Sequence, residues 1–177
     1  SFVYIPSLEA NCILSDLVIE GIILEGAETK NAYPFADSGT SKSSFAIPYT
    51  DIPVWVDNVL YGDTSEDVIT LRMVGDMTSS VTKPQPGDHL ILFLGYGEDL
   101  DVYNTCCSED SIFINNPPDN TVFTFTNMPT ITKFDGEPFD SFKQEIGETY
   151  ETLREYLTEH PDAYSIRGTI LDDLLGE

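Results

Sequence analysis

The sequence predicts a mainly β protein of the α+β class: a small closed barrel of five or six strands followed by a carboxy-terminal amphipathic helix. Three observations carry this. The stretch Asp51–Asp63, DIPVWVDNVLYGD, is a long β-branched run that ends on Gly-Asp. Other β-branched or aromatic runs, bounded by Gly, Pro and Asn, lie on either side of it. Beyond residue 140 the apolar period changes from two to three and four, and strands first with a helix last describe an α+β chain.

Residues 1–11 read as an amino-terminal arm, with Phe2, Val3, Tyr4 and Ile5 ahead of Pro6. Asp16–Glu25 is the first strand, and Gly21 in its middle marks a bend or bulge of the kind that corners a barrel. The Ser-, Thr- and Gly-rich segment up to Thr50 predicts a long surface connection, with Gly26–Ser44 as a flexible insertion. Phe45, Ile47 and Tyr49 alternate and extend the central strand backwards. In that strand Ile52, Val54 and Val56 share one face, and Trp55 and Val59 belong to the other. Asp57 and Asn58 break the period, and a β-bulge there restores it. Pro53 has no amide proton, so the ladder must be open beside it.

Asp67–Val74 alternates as a half-buried strand. After the turn Lys83–Asp88, His89–Tyr96 is the most apolar strand of the chain. Ser111–Asn115 and Thr121–Thr126 are shorter strands on either side of the turn Asn116–Asn120. Phe142, Ile146, Tyr150, Leu153 and Leu157 then form one stripe of a helix of about 18 residues within 140–160. Ser141 and Gln144 have capping-box spacing, and His160-Pro161 ends the run. The tail, 161–177, could add a short second helix. The whole is expected to be one domain, with the barrel spanning 16–126.

With 31 acidic against 8 basic residues and a net charge of -23, the molecule repels phosphate polymers and anionic headgroups, so nucleic acid is not an expected partner. No apolar run reaches the roughly 20 residues needed to span a bilayer, Leu90–Leu94 being the densest patch. A signal peptide is expected to have been removed ahead of Ser1. Cys12, Cys106 and Cys107 lack zinc-site spacing, with His89 and His160 far away in sequence, so neither a metal nor a cofactor is expected. A disulfide from Cys12 to Cys106 or Cys107 would fasten the arm to the barrel, three separate thiols being the open alternative.

The succession LVIEGIIL, IPVWVDNVLYGD, DVITLRMVGD and QPGDHLILFLGY resembles the OB-like barrels of secreted or lipid-anchored Gram-positive bacterial proteins. It is distantly similar to the netrin-type and metalloproteinase-inhibitor barrels. The likeness rests on the bulged strand with Val56, Val59, Leu60 and Gly62, and on the run from Gly87 to Phe93. It covers roughly 16–126 and consists of core and turn positions, so it speaks to fold. It implies an extracellular or cell-surface setting with a possible lipid anchor upstream. The inhibitors depend on an amino-terminal Cys, whereas here Cys12 follows an eleven-residue arm, and protease inhibition is not carried over.

The leading expectation is a non-catalytic extracytoplasmic binding module that contacts an unknown protein or envelope component, because no nucleophile-and-base or phosphate-loop signature is present. Trp55, Tyr61, Tyr96 and Tyr103 are the aromatics that would line a cleft, although for Trp55 core packing is the stronger expectation. Calcium binding at the acid-rich Glu98–Asp101 is one alternative. A hydrolase using Cys106 or Cys107 with His89 is another. Asp99 with Asp101, or Asp135 with Glu137, could supply paired acids.

Overall fold

Five strands close into a barrel in the computed structural model, which describes residues 5–31, 47–78, 82–97 and 101–160. The chain runs α1 (Leu8–Leu14), β1 (Leu17–Ile23), β2 (Glu28–Asn31), β3 (Pro48–Tyr61), β4 (Val68–Val74), β5 (His89–Gly97) and β6 (Val102–Thr105). A 3-10 turn (Ser108–Ser111), β7 (Ile112–Asn116), β8 (Thr121–Thr124), α2 (Pro129–Thr132) and α3 (Phe139–Glu159) follow. The ring order is β1-β3-β4-β6-β5, and β5 pairs back onto β1. Every pairing in the ring is antiparallel except β4 with β6, which is parallel and meets at Leu71 and Tyr103. β7 and β8 extend the sheet outward from β5, and β2 pairs with the start of β3. This is a mainly β chain with an OB-like closed barrel.

The bends fall where the sequence puts them. Glu20 pairs with Asn58 and Gly21 with Val56, which leaves Asp57 as the extra residue of a bulge. A second irregularity leaves Leu60 unmatched between Val59 and Tyr61. A Cβ on Gly21 would stand 2.6 Å from the Trp55 carbonyl oxygen, so no larger residue fits there without moving backbone. Pro53 lies between the β2-paired and β1-paired parts of β3, and its carbonyl accepts from the Leu24 amide.

Two cores explain the apolar pattern. Leu17, Ile19, Ile52, Val54, Leu71, Leu90, Leu92 and Leu94 fill the barrel. The alternate residues Val18, Ile91 and Phe93 point outward into a second core with Phe113, Ile131, Phe134, Phe142, Ile146 and Leu153. Because β5 is covered on both faces, it reads as an unbroken apolar run. α3 therefore packs on the side of the barrel, and Phe142, Ile146 and Leu153 of the expected stripe are buried.

Several expectations are corrected. Part of the arm is helical: Ser7 caps α1, its hydroxyl accepting from the Ala10 amide at 3.0 Å. β2 occupies part of the segment read as a connection, and β6 precedes the cysteine pair. α3 has 21 residues and begins at Phe139 without a side-chain cap, so the Ser141–Gln144 capping box does not form. The buried Phe139, whose amide donates to the Asn120 carbonyl at 2.9 Å, fixes the helix start. Gln144 instead bonds Glu148 at 3.2 Å. The insertion around 32–46, Phe45 and the tail 161–177 lie outside the described residues. No helix among the described residues is long and apolar enough to cross a membrane.

Candidate functional site

A cleft of about 410 Å³ opens where β1 begins, β3 ends and β5 meets β6, lined by Asp16, Leu17, Asp63, Tyr96 and Tyr103. Tyr96 and Tyr103 are cross-strand partners with ring centres 5.1 Å apart. The Tyr96 hydroxyl donates to Asp101 Oδ1 at 3.1 Å, and its amide donates to Asp16 Oδ2 at 3.0 Å. Hydrogen bonding to Asp101 holds the Tyr96 phenol above its ordinary pKa, and burial does the same for Tyr103. Both present neutral aromatic faces beside carboxylates, a surface that attracts cations by charge and by the ring quadrupole.

The other two candidate aromatics go elsewhere. Tyr61 stacks on Tyr150 of α3, centres 4.2 Å apart and planes 8° from parallel, joining the end of β3 to the helix. Trp55 is not a core residue, being 41% exposed on the outer wall, in register with Ile22 and Val68. Among the described residues no helix covers Trp55, and Ile52 and Val54 take the interior positions. Of the acid-rich loop at Glu98–Asp101, only Asp101 is among the described residues.

No disulfide forms among Cys12, Cys106 and Cys107. The tie that the bridge was expected to supply is made by Asn11, which is fully buried in α1. Its amide nitrogen donates to the Ser7 carbonyl at 3.0 Å and the Asp110 carbonyl at 2.9 Å, and its oxygen accepts from the Ser111 hydroxyl at 2.6 Å. Burial pushes the Cys12 thiol up and the Cys107 thiol up to about 11, so neither is a ready nucleophile near neutral pH. The Cys-His pair is not assembled either. The Cys106 amide bonds the Phe93 carbonyl, and His89 lies four residues away along β5, about 13 Å at roughly 3.3 Å per residue.

His89 instead closes a polar cluster on the outer wall. Its Nε2 is 2.6 Å from Glu20 Oε2, and its Nδ1 accepts from the Asn115 amide nitrogen at 3.1 Å. Lys143 of α3 reaches the same carboxylate at 3.2 Å. Sequence reading missed this cluster because Glu20, His89 and Lys143 meet only when β1, β5 and α3 pack. The one available signal was a lone Glu inside the apolar run LVIEGIIL.

The acids near α3 have separate roles. Asp135 Oδ1 accepts from both the amide and the hydroxyl of Thr124, at 2.9 Å each, and closes a turn. Glu137 is raised to about 7, first by burial and then by the hydrogen bond and charge of Glu145. Its folded pKa exceeds the unfolded value of about 4.3, so its stabilising effect is complete below that value and is lost as pH rises through about 7. Glu137→Gln is expected to match the parent in urea unfolding at pH 4. At pH 8 it should be about 0.5–1 kcal/mol more stable, after allowance for solvent screening. Parallel pH profiles for the two proteins would remove this account of the pair.

No protein-family model and no curated protein matches the chain. What it does must therefore be read from its own geometry.

Proposed function

We propose that the protein is a non-catalytic, extracytoplasmic binding module whose acidic tyrosine cleft takes a cationic segment of another protein or envelope component. The observation that carries this reading is the pairing of Tyr96 and Tyr103 beside Asp16 and Asp63 at one end of the barrel. Aromatic faces flanked by carboxylates favour ammonium and guanidinium groups, and the net charge of -23 accelerates their approach while repelling polyanions. The resemblance to barrels of secreted and lipid-anchored Gram-positive bacterial proteins supports a cell-surface setting, with a lipid anchor upstream as the proposed means of attachment.

Calorimetric titration with a lysine-rich peptide, beside a glutamate-rich peptide of equal length, tests the cleft. The lysine-rich peptide should bind, more weakly as salt rises, and the glutamate-rich one should not. Tyr96 is 42% exposed, so Tyr96→Ala should preserve the fold while weakening binding by about tenfold, the equivalent of about 1.4 kcal/mol. Equal affinity in parent and variant would rule out the cleft as the binding surface.

A further inference from the structure

We infer that Glu20, Asp57 and His89 form a binding site for a divalent first-row transition-metal ion, built across three neighbouring strands of the barrel wall. One ligand atom from each of the three lies within 4.8 Å of the others, close enough for small side-chain shifts to bring them onto one ion, which would replace the 2.6 Å hydrogen bond between His89 Nε2 and Glu20 Oε2. Glu20 is on β1, and Asp57 and His89 are on its two neighbours, β3 and β5. Glu20 pairs with Ile91 and Ile22 with His89, so Glu20 and His89 stand diagonally on the same outward face. Asp57, two residues from the outward Trp55, joins them on this face as the extra residue of the bulge beside Glu20. The bulge that bends the barrel also aims this third carboxylate.

Two features of the surroundings fit an ion. Glu20 is only 6% exposed, a buried carboxylate that needs positive charge beside it, and Lys143 Nζ lies 3.2 and 3.5 Å from its two oxygens. The ammonium thus occupies one cationic position on Glu20. It can withdraw to Asp140, which it already contacts at 3.1 Å one helical turn away. The second feature is Asn115, whose Oδ1 is buried and makes no hydrogen bond. A metal on His89 Nε2 requires the ring proton on Nδ1, and an Asn115 amide turned over would present this oxygen to it. That half-turn of the Asn115 amide would give His89 the outer support that metal-bound histidines require and would satisfy the buried oxygen at the same time.

One imidazole and two carboxylates suit Zn²⁺, Mn²⁺ or Co²⁺. Ca²⁺ takes six to eight oxygen ligands and is poorly matched to this set. Three protein ligands also leave at least one coordination position for water or a partner's donor group. The site is separate from the tyrosine cleft and does not depend on the function proposed for it.

Zn²⁺ titration of the intact protein by calorimetry, in excess Mg²⁺ to suppress loose binding to the acidic surface, tests the inference. One equivalent should bind, and Ca²⁺ should not displace it. Asp57 is exposed, so Asp57→Asn should fold normally by circular dichroism and lower Zn²⁺ affinity at least tenfold, as should His89→Ala. Asn115→Ala should weaken binding about tenfold through the loss of outer support, whereas Lys143→Met should tighten it by removing the competing ammonium. Co²⁺ should give a spectrum without a thiolate charge-transfer band, separating this site from the cysteines. Absence of stoichiometric Zn²⁺ binding, binding that Asp57→Asn leaves unchanged, or a thiolate band would each overturn the assignment.

Discussion

Phe142→Ala is expected to cost about 3–5 kcal/mol of folding stability, the usual range for emptying a buried phenylalanine site. The Phe142 ring is fully buried, with its centre 4.6 Å from that of Phe113 on β7 and 5.1 Å from that of Phe134. Few neighbours can collapse into the space, because Phe113 is itself held edge-on against Phe93 of β5 and Phe134. For a chain of this size the loss corresponds to a fall of roughly 10 °C in Tm. Phe123→Ala is the control: that ring is 47% exposed and should cost well under half as much. Chemical denaturation of the two variants decides the matter. If Phe142→Ala costs no more than Phe123→Ala, α3 does not contribute the second core described above.

Asn11→Ala should cost about 3 kcal/mol, more than an asparagine on an exposed helix would suggest. Truncation removes three hydrogen bonds at once and leaves the buried Ser111 hydroxyl without its acceptor. Ser111 also accepts from the Cys107 amide at 2.7 Å, so the damage reaches the chain between β6 and β7. A double-mutant cycle with Ser111→Ala should give a coupling energy of about 1 kcal/mol, because each side chain loses most of its value without the other. Simple additivity would mean that the two are not one unit. Reductant, by contrast, should leave the melting temperature unchanged, since no disulfide joins α1 to the barrel.

The strands that could be read in advance were those whose local pattern and surroundings agree. β3, β4 and β5 lie within two residues of their expected ends, with the exception of the amino-terminal end of β3, because alternation and the turns at Gly62, Gly75 and Gly87 fix them locally. The Asp57 bulge was legible for the same reason, since two polar residues interrupting an apolar period leave few registers open. α1, β2 and β6 were missed because each is only four to seven residues long, too short for a local pattern to declare itself. Cys12 was singled out for a covalent tie, but the neighbouring Asn11 does that work by hydrogen bonding, which residue type alone does not announce.

The candidate sites divide along the same line. Tyr96 and Tyr103 were among four aromatics named from the sequence, and hairpin register alone brings these two together. Tyr61 was separated from them by the packing of α3, and Trp55 by its exposed place on the outer wall of β3. By itself the sequence determined the barrel class, the bends at Gly21 and Asp57, the amphipathic stripe of α3 and the acidic field, all consequences of short-range pattern and composition. Only the tertiary structure decided that Glu20, Asp57, His89 and Lys143 share one spot. They come from four separate elements, and only barrel closure and the docking of α3 bring those elements within reach of one carboxylate.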